Sequence, residues 1–372
     1  SWFNRAGGPP LNALVVDAEG NLGWTVTGRN PVRVGVDGRS AFSWANGDRG
    51  WHGYIPPAEL PRIVNPSSGF LVNANQPMVN SQGVPYVIDD KYAFGYRAYR
   101  LAERLRQMEE ITEDDMRMLQ LDTQADFYRY YQGLALKALE APGPRTQPDV
   151  AGLQRYLKAW DGRAEPASLG LPLLVEFRQA LIEAVFSPIL ARCTEVDPKF
   201  EWNPTDVPLQ QLLNARHPDL LPNKDEYQGW DAFIRAVLER AARRLMDHYR
   251  VGSIDDLSWG HTDETEIAHP LSDTIPLLGQ LLDMPRLPSP GCGECVRMAR
   301  YGGATERLVV SPGHDEDGIL QMPAGQSGHP FSPHYRDQHL SWVQGDHVPL
   351  WAGAIQHRLT FEPAAARQVQ RP

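Results

Sequence analysis

The alternation of apolar and polar residues predicts a β-hairpin near the start of the chain. The run LNALVV, from 11 to 16, has the composition of a strand, DAEG supplies turn residues, and NLGWTVTG has the composition of a returning strand. The segment from 28 to 75 is rich in Gly, Pro, Trp and Asn, which excludes a helix there. We therefore expect ordered loops and short strands in this segment.

Apolar residues at helical spacing begin near residue 97 and continue to about residue 250. The sequence ITEDDMRMLQ opens with Thr112, followed three residues later by Asp115, which is the pattern of a capping box at a helix start. The apolar residues that fall on one face of a later predicted helix are Trp230, Phe233, Ile234, Val237, Leu238, Ala241 and Leu245. These patterns predict a mainly helical block.

Short strand-like runs return after residue 285, so the chain runs from strands and loops through helices to strands and loops. This order divides the chain into a sheet and loop part over 1–96, a helical block over 97–260 and a C-terminal part over 261–372. It predicts an α+β protein in which strands from both ends share one sheet core and the helical block is inserted between them.

The composition disfavours nucleic acids and membranes as partners. Of the 372 residues, 42% are hydrophobic and 22% are charged, which is ordinary for a globular protein. The formal net charge of -10 and the lack of a Lys/Arg cluster disfavour nucleic acid as a partner. No run approaches the ~20 apolar residues of a membrane helix, so we expect no membrane partner.

Cys292 and Cys295 form a C-x-x-C sequence inside a Pro/Gly loop, PGCGEC. Zinc binding would need two further ligands, and neither a second C-x-x-C nor an H-x-x-x-H accompanies the pair. A thioredoxin-like redox pair would stand at a strand-to-helix junction instead. A local disulfide or two plain thiols therefore fits the sequence better than a metal or redox site, and a disulfide would favour an oxidising compartment.

Several motifs in a fixed order carry a family resemblance. The first is an Asn, a strand ending in Asp, a Gly-Asn turn, a second strand and G-x-x-P-x-R, here Asn12, Asp17, Gly20, Asn21, Gly28, Pro31 and Arg33. The later motifs are WHGYIP, NPSSGFLVNANQ, GYRAYRLAERL, AWDGRAEPASLG and GQSGHPFSPHYRDQHLSWVQGDHVPL. Over most of its length the chain resembles the penicillin acylase family, which includes acyl-homoserine-lactone acylases and cephalosporin acylases.

The resemblance implies the αββα sandwich of the N-terminal-nucleophile hydrolases, here incomplete, and hydrolysis of carboxylic amides through an acyl-enzyme. Asn12 matches the family's oxyanion-hole Asn, whose amide NH2 donates without adding charge. Arg33 matches the family Arg that orients that Asn and lines the site with a rigid donor fork. Taken without the resemblance, Asn12 is better explained as a residue that caps a strand entry, and Arg33 could be a surface residue after a Pro turn.

The family nucleophile has no match in this chain. It is a Ser exposed by self-cleavage far upstream of the Asn12 position, whereas Ser1 lies only eleven residues before Asn12 and is followed by the atypical Trp2. We therefore expect the nucleophile on a missing N-terminal part or small (alpha) chain of the same precursor, and no amidase activity from this chain alone. The alternatives are a truncated or degenerate homologue that binds or scaffolds without catalysis, and a shortened enzyme that uses Ser1.

The resemblance also implies the partners and the location. The expected substrate is a small-molecule amide, such as the acyl side chain of a β-lactam, an acyl-homoserine lactone or a lipopeptide. No cofactor and no metal ligand is expected in this chain, while a structural Ca²⁺ in the complete protein is left open. Relatives of this kind imply a periplasmic or secreted protein.

Other polar candidates have simpler explanations. Asp17 is better explained as a turn residue than as a catalytic one. Ser332, His334 and Asp337 are rejected as a triad, because residues so close in sequence rarely meet as nucleophile, base and orienter. HDEDG, at 314–318, lacks the ligand spacing of an EF-hand and is interpreted as a solvated acidic turn.

The aromatic residues of the loop-rich segment allow two interpretations. Trp24, Trp44, Trp51 and Tyr54 could line a pocket for an acyl chain. Aromatic residues in such segments more often anchor loops to a core, so we expect core anchors.

Overall fold

The structure, a computed structural model, describes residues 2–38, 41–79, 92–140, 150–203, 205–272, 274–299 and 303–362. The strands are β1 (Asn12–Val16), β2 (Leu22–Val26), β3 (Pro31–Val34), β4 (Gly50–Tyr54), β5 (Arg62–Val64), β6 (Arg307–Val309) and β7 (Ile319–Gln321). Helices separate the first five strands from the last two, so the order of elements follows the hydrophobic pattern of the sequence.

Strands β1 and β2 form the predicted hairpin, with Asn12 opposite Val26. Asp17 closes the turn, because its carboxylate accepts hydrogen bonds from the backbone N–H of Glu19 at 3.0 Å and of Asn21 at 2.9 Å. The turn interpretation of Asp17 is thereby confirmed. Strand β5 pairs with the other edge of β2, so β2 is the central strand of an antiparallel sheet in the order β1–β2–β5.

Strands from the two ends of the chain do not share a sheet within the described residues. Strand β3 pairs with β4, and β6 pairs with β7, each as a separate two-stranded sheet. The expectation of one sheet core drawn from both ends is therefore wrong for this part of the chain. The reason is that β6 and β7, three residues each, pack on the helical block instead, where the Gln120 amide donates to the Leu308 carbonyl at 3.0 Å.

Helices fill most of the chain from Tyr96 to Thr262. The helices of the whole chain are α1 (Trp2–Arg5), α2 (Tyr96–Arg106), α3 (Glu113–Gln120), α4 (Arg129–Glu140), α5 (Val150–Ala159), α6 (Gly170–Val196), α7 (Asp206–Ala215), α8 (Trp230–Tyr249), α9 (Trp259–Thr262), α10 (Pro276–Leu282) and α11 (His339–Gln344). Among the described helices, none is both long enough and apolar enough to cross a bilayer.

The helices begin and pack as the sequence predicts. The capping box at the start of α3 is confirmed, because Thr112 and Asp115 each accept a hydrogen bond from the backbone N–H of the other. All seven apolar residues of the predicted stripe on α8 are buried. Helix α8 packs against α6 and α4, which places the main hydrophobic core in the helical block.

A buried ion pair joins α6 to α7. The Arg178 guanidinium donates to both carboxylate oxygens of Asp206, at 2.7 and 2.5 Å, and the Tyr131 hydroxyl donates to the same carboxylate at 2.6 Å. Burial acts to lower the pKa of Arg178, but the hydrogen bonds and charge of Asp206 outweigh it and raise that pKa above its ordinary value. The bidentate geometry fixes the position of α7 on α6.

Arginines from three separate segments bind the carboxyl end of α11. Arg307 donates to the Trp342 carbonyl at 2.7 Å, Arg297 donates to the Val343 carbonyl, and Arg117 donates to the Gly345 carbonyl. Burial lowers the pKa of Arg297 and of Arg307 to about 10 each. Positive charge is favourable at a helix carboxyl end, where backbone carbonyls lack partners within the helix.

A disulfide closes the loop that precedes Arg297 and Arg307. Cys292 and Cys295 are bonded to each other, and both are buried against the helical block. The Cys295 sulfur lies 3.5 Å from the Thr123 carbonyl, and the Arg297 backbone N–H donates to the Asp122 carbonyl at 2.9 Å. Of the two interpretations left open by the sequence, the local disulfide is therefore the one that the structure contains.

Candidate functional site

Asn12 lies at the exposed start of β1. Its side-chain oxygen accepts a hydrogen bond from the indole N–H of Trp24, with 2.9 Å between Nε1 and Oδ1. Within the described residues, the side-chain NH2 of Asn12 makes no hydrogen bond. The amide therefore presents two free N–H donors at the rim of the sheet, which is the chemistry needed to stabilise an oxyanion.

The position of Trp24 follows from the register of the sheet. Trp24 lies directly opposite Leu14 on β1, so Asn12, two residues before Leu14, is its diagonal neighbour on the same face. On its other side Trp24 pairs with Ile63 of β5. The Trp24 side chain is 3% exposed, so the indole that holds Asn12 is fixed by a strand with a partner on each edge.

The short N-terminal helix α1 is hydrogen-bonded to the same hairpin at the end of β2. The Asn4 side chain is buried and donates to the backbone carbonyls of Val26 at 3.1 Å and of Gly28 at 3.0 Å. Gly28 has a φ of 73°, and a Cβ added there would lie 2.4 Å from the Pro9 carbonyl oxygen. Only glycine fits here, because the backbone at Gly28 passes close to that of Pro9. This close packing places the G-x-x-P-x-R motif, which begins at Gly28, beside the start of β1.

Arg33 is placed on a different sheet from Asn12. It belongs to β3, opposite Trp51 of β4, and its side chain runs along Gly38, whose φ is 83°. A Cβ added to Gly38 would lie 2.5 Å from the Arg33 Nε, so this glycine leaves room for the guanidinium. In the described structure it is Trp24, and not Arg33, that holds the Asn12 amide. The predicted role of Arg33 in orienting Asn12 stays a prediction.

The aromatic residues of the N-terminal segment fall into two groups. Trp24 is a core anchor, as expected. Trp44, Trp51 and Tyr54 are 54%, 55% and 52% exposed, so the core-anchor interpretation was wrong for these three. Trp51 of β4 and Trp44 of the preceding loop contact each other edge to face with 5.9 Å between ring centroids, which forms a small aromatic surface.

The serine and histidine residues near the C-terminus do not form a triad. His334 contacts Asp337 at 2.8 Å, but the Ser332 hydroxyl accepts from the His334 backbone N–H at 3.1 Å instead of contacting the imidazole. The His334 side chain is 71% exposed. These bonds shape a surface loop, in agreement with the rejection of a catalytic triad.

The acidic turn at 314–318 is solvent-exposed. His314, Glu316 and Asp317 could each bring one ligand atom within 4.8 Å of the others. A 3-10 turn over Asp315–Asp317 sets this spacing. Exposed carboxylates at such a turn are hydrated, so the arrangement agrees with a solvated acidic turn.

The bond between Trp24 and Asn12 was not predicted from the sequence. The hairpin register makes these two residues diagonal neighbours. Once the turn at Asp17 is assigned, the register therefore predicts that their side chains lie close enough for the bond. The identity of the donor, however, depends on the side-chain conformation of Trp24, which the hydrophobic pattern does not report.

The comparison with known families decides the relationship of this chain. The penicillin amidase family model matches residues 2–356. This chain belongs to the penicillin amidase family. The match begins at α1 and includes the Asn12 hairpin, the helical block and the loop around His334.

Relatives in the penicillin amidase family include named acylases. The chain is 29% identical over 353 residues to penicillin acylase 2 proenzyme of Pseudomonas sp. (strain SE83), covering 91% of this chain and 44% of that protein. It is 26% identical over 378 residues to acyl-homoserine lactone acylase QuiP of Pseudomonas aeruginosa, again covering 91% of this chain and 44% of the relative. The chain thus spans less than half the length of these relatives.

A solved structure shows the same fold. A thermostable penicillin G acylase from Alcaligenes faecalis matches with a TM-score of 0.58 and 17% sequence identity, over 96% of this chain and 69% of that one. The fold of this chain is therefore that of the penicillin acylases, as the resemblance implied.

Proposed function

We propose that this chain supplies the oxyanion-binding part of an acylase that hydrolyses carboxylic amides through an acyl-enzyme. The observation that carries the proposal is the amide of the exposed Asn12, whose oxygen accepts from Trp24 and whose NH2 makes no hydrogen bond within the described residues. Attack on an amide carbonyl creates an oxyanion, and neutral N–H donors aimed at that oxygen stabilise it. Asn12 is the donor in this proposal.

The attacking group in this proposal is a Ser on polypeptide that this chain does not include. The α-amine of that Ser takes the hydroxyl proton, since an α-amine has a pKa near ~7.7–8.0 and accepts a proton at neutral pH. The hydroxyl oxygen bonds to the acyl carbon, the C–N bond breaks, and the α-amine passes its proton to the leaving amine. Water then hydrolyses the acyl ester, which releases the acid and restores the Ser hydroxyl. Coverage of only 44% of each relative supports this placement, because more than half of their length lies outside the match. Ser1 itself lies outside the described residues.

The proposed substrates are small-molecule amides with an acyl chain: β-lactam side chains, acyl-homoserine lactones or lipopeptides. The names of the relatives, which are penicillin and acyl-homoserine lactone acylases, support the first two. Arg33 would line the site and hold the acyl carbonyl with its donor fork. The exposed rings of Trp44 and Trp51 offer apolar contact area for an acyl chain. This mechanism needs no cofactor, because the α-amine acts as base and Asn12 as donor.

The proposed partner is the remaining part of the same precursor, which would cover β1. Leu14, Val15 and Val16 are consecutive, point to alternate faces and are 48%, 59% and 47% exposed. A strand that is apolar on both faces is typical of a sheet covered on both sides. One relative is named a proenzyme, which agrees with a partner cut from the same precursor. The isolated chain should therefore self-associate, and monomeric behaviour in sedimentation would contradict this surface.

The proposed location is periplasmic or secreted. The support is the buried disulfide between Cys292 and Cys295, since disulfides persist in oxidising compartments and are rare in the cytosol.

The proposal is tested by reconstitution. The 372-residue chain is assayed alone and together with the nucleophile-bearing part of its precursor, on a phenylacetyl anilide and an acyl-homoserine lactone. We expect no turnover from the chain alone and turnover from the assembled enzyme. Asn12→Ala should lower kcat by ~10²–10³-fold, the usual effect of losing one oxyanion donor. Asn214→Ala, which removes an exposed amide on α7, is the matched control and should keep wild-type kcat.

Each contrary result refutes a distinct part of the proposal. Turnover by the chain alone would show that the nucleophile lies within it. An assembled enzyme whose kcat is unchanged by Asn12→Ala would remove the oxyanion role. An assembled complex that binds an acyl amide without hydrolysing it would favour the alternative, a degenerate homologue that binds or scaffolds.

A further inference from the structure

We infer that Trp24 is a positioning residue that sets which end of the Asn12 amide faces the substrate. The inference rests on the proposed role of Asn12 as oxyanion donor. Its basis is the hydrogen bond from the Trp24 indole to the Asn12 side-chain oxygen, 2.9 Å long.

The chemistry of the two groups allows only one orientation of the amide. An indole N–H donates and cannot accept, while an Asn amide has an accepting oxygen at one end and a donating NH2 at the other. Rotation of the Asn12 amide by half a turn would place its NH2 against the indole N–H, with two donors facing each other. The same rotation would turn the carbonyl oxygen toward a developing negative charge. Trp24 therefore favours the orientation in which the oxygen faces the indole and the NH2 points away from it.

The surroundings of Trp24 keep the indole N–H in place. Its side chain is 3% exposed, and its strand is paired to β1 through Leu14 and to β5 through Ile63. Asn12, by contrast, is exposed at the start of an edge strand and has little other restraint. A buried residue on a central strand thus orients an exposed side chain on the neighbouring strand.

The expected consequence concerns kcat and leaves KM unchanged. Without the indole N–H, the amide of Asn12 rotates freely, and only part of the population presents the NH2 to the oxyanion. Loss of one neutral hydrogen bond of this kind lowers kcat roughly tenfold, because the bond acts on the transition state. Binding of the ground-state amide does not use the oxyanion donor, so KM stays the same.

The experiment uses the assembled enzyme and two variants at position 24. Trp24→Phe removes the N–H together with part of the ring. Replacement of Trp24 by benzothienylalanine exchanges the N–H for a sulfur atom and retains the shape, so folding is preserved even if the Phe variant is unstable. Trp230→Phe is the matched control, since Trp230 is also buried and its indole donates to the His217 carbonyl in the helical block.

We expect both variants at Trp24 to lower kcat roughly tenfold at constant KM, and Trp230→Phe to leave kcat unchanged. In the Asn12→Ala background, the benzothienylalanine replacement should have no further effect on kcat, because the group that it orients is gone. A full effect in that background would overturn the inference. So would an unchanged kcat in the benzothienylalanine enzyme while Asn12→Ala is impaired, and the proposed function would then still stand. An unchanged kcat in Asn12→Ala itself would overturn both.

Discussion

The buried pair of Arg178 and Asp206 gives the sharpest test of how the helical block is held together. The Asp206 side chain is 3% exposed and accepts hydrogen bonds from Arg178 and from the fully buried Tyr131. Asp206→Ala removes all of these bonds in one step. It leaves the Arg178 guanidinium without the carboxylate that it binds and the Tyr131 hydroxyl without the acceptor of its hydrogen bond.

The magnitude follows from these two losses. Removing one partner of a buried ion pair typically costs about 3–5 kcal/mol. The Arg178 side chain is 21% exposed, so water can solvate part of its charge. The lower end of that range therefore applies. The loss at Tyr131 adds about 1 kcal/mol. We therefore expect Asp206→Ala to lower the free energy of unfolding by about 3–4 kcal/mol.

Urea unfolding at neutral pH, followed by circular dichroism at a helix wavelength, measures this change. Tyr131→Phe removes only the hydroxyl and should cost about 1 kcal/mol. Asp225→Ala, at an exposed acid, is the matched control and should stay within about 0.5 kcal/mol of wild type. A loss for Asp206→Ala no larger than that of the control would refute the role given to the pair.

Three further predictions concern other parts of the chain. Gly38→Ala should cost about 1 kcal/mol and displace the guanidinium of Arg33, because φ is 83° and the new Cβ would meet that side chain; thermal unfolding checks the cost. The double change Cys292→Ser and Cys295→Ser should cost roughly 2 kcal/mol for so short a loop, and an unfolding temperature insensitive to thiol reductant would contradict this. His334→Ala should leave kcat of the assembled enzyme within about twofold, because the side chain is exposed; a larger loss would give it a catalytic role.

Local interactions explain which elements could be predicted from the sequence. The hairpin around Asp17 depends on bonds to Glu19 and Asn21, all within four residues, so the turn was visible in the string DAEGN. Helix α3 was equally visible, because its cap joins Thr112 to a residue three positions away. Patterns of this kind are complete within one element and need no knowledge of the rest of the fold.

Features that depend on distant parts of the chain could not be predicted. The sequence offered no means of telling that Trp24 would be buried while Trp51, also on a strand, would be half-exposed. Tryptophan favours strands at either position, and its burial depends on what covers each sheet. For the same reason the bond from Trp24 to Asn12 was not predicted. The sequence also could not distinguish a disulfide between Cys292 and Cys295 from two free thiols.

The three arginines at the carboxyl end of α11 have a consequence for the order of folding. A six-residue helix is too short to persist alone, because the first turn costs more than its few hydrogen bonds return. Its stabilising cations are Arg117 of α3, Arg297 of the segment just after the disulfide loop, and Arg307 of β6. Helix α11 should therefore acquire protection from hydrogen exchange only after these three segments have assembled, which makes its formation a late event on the folding pathway.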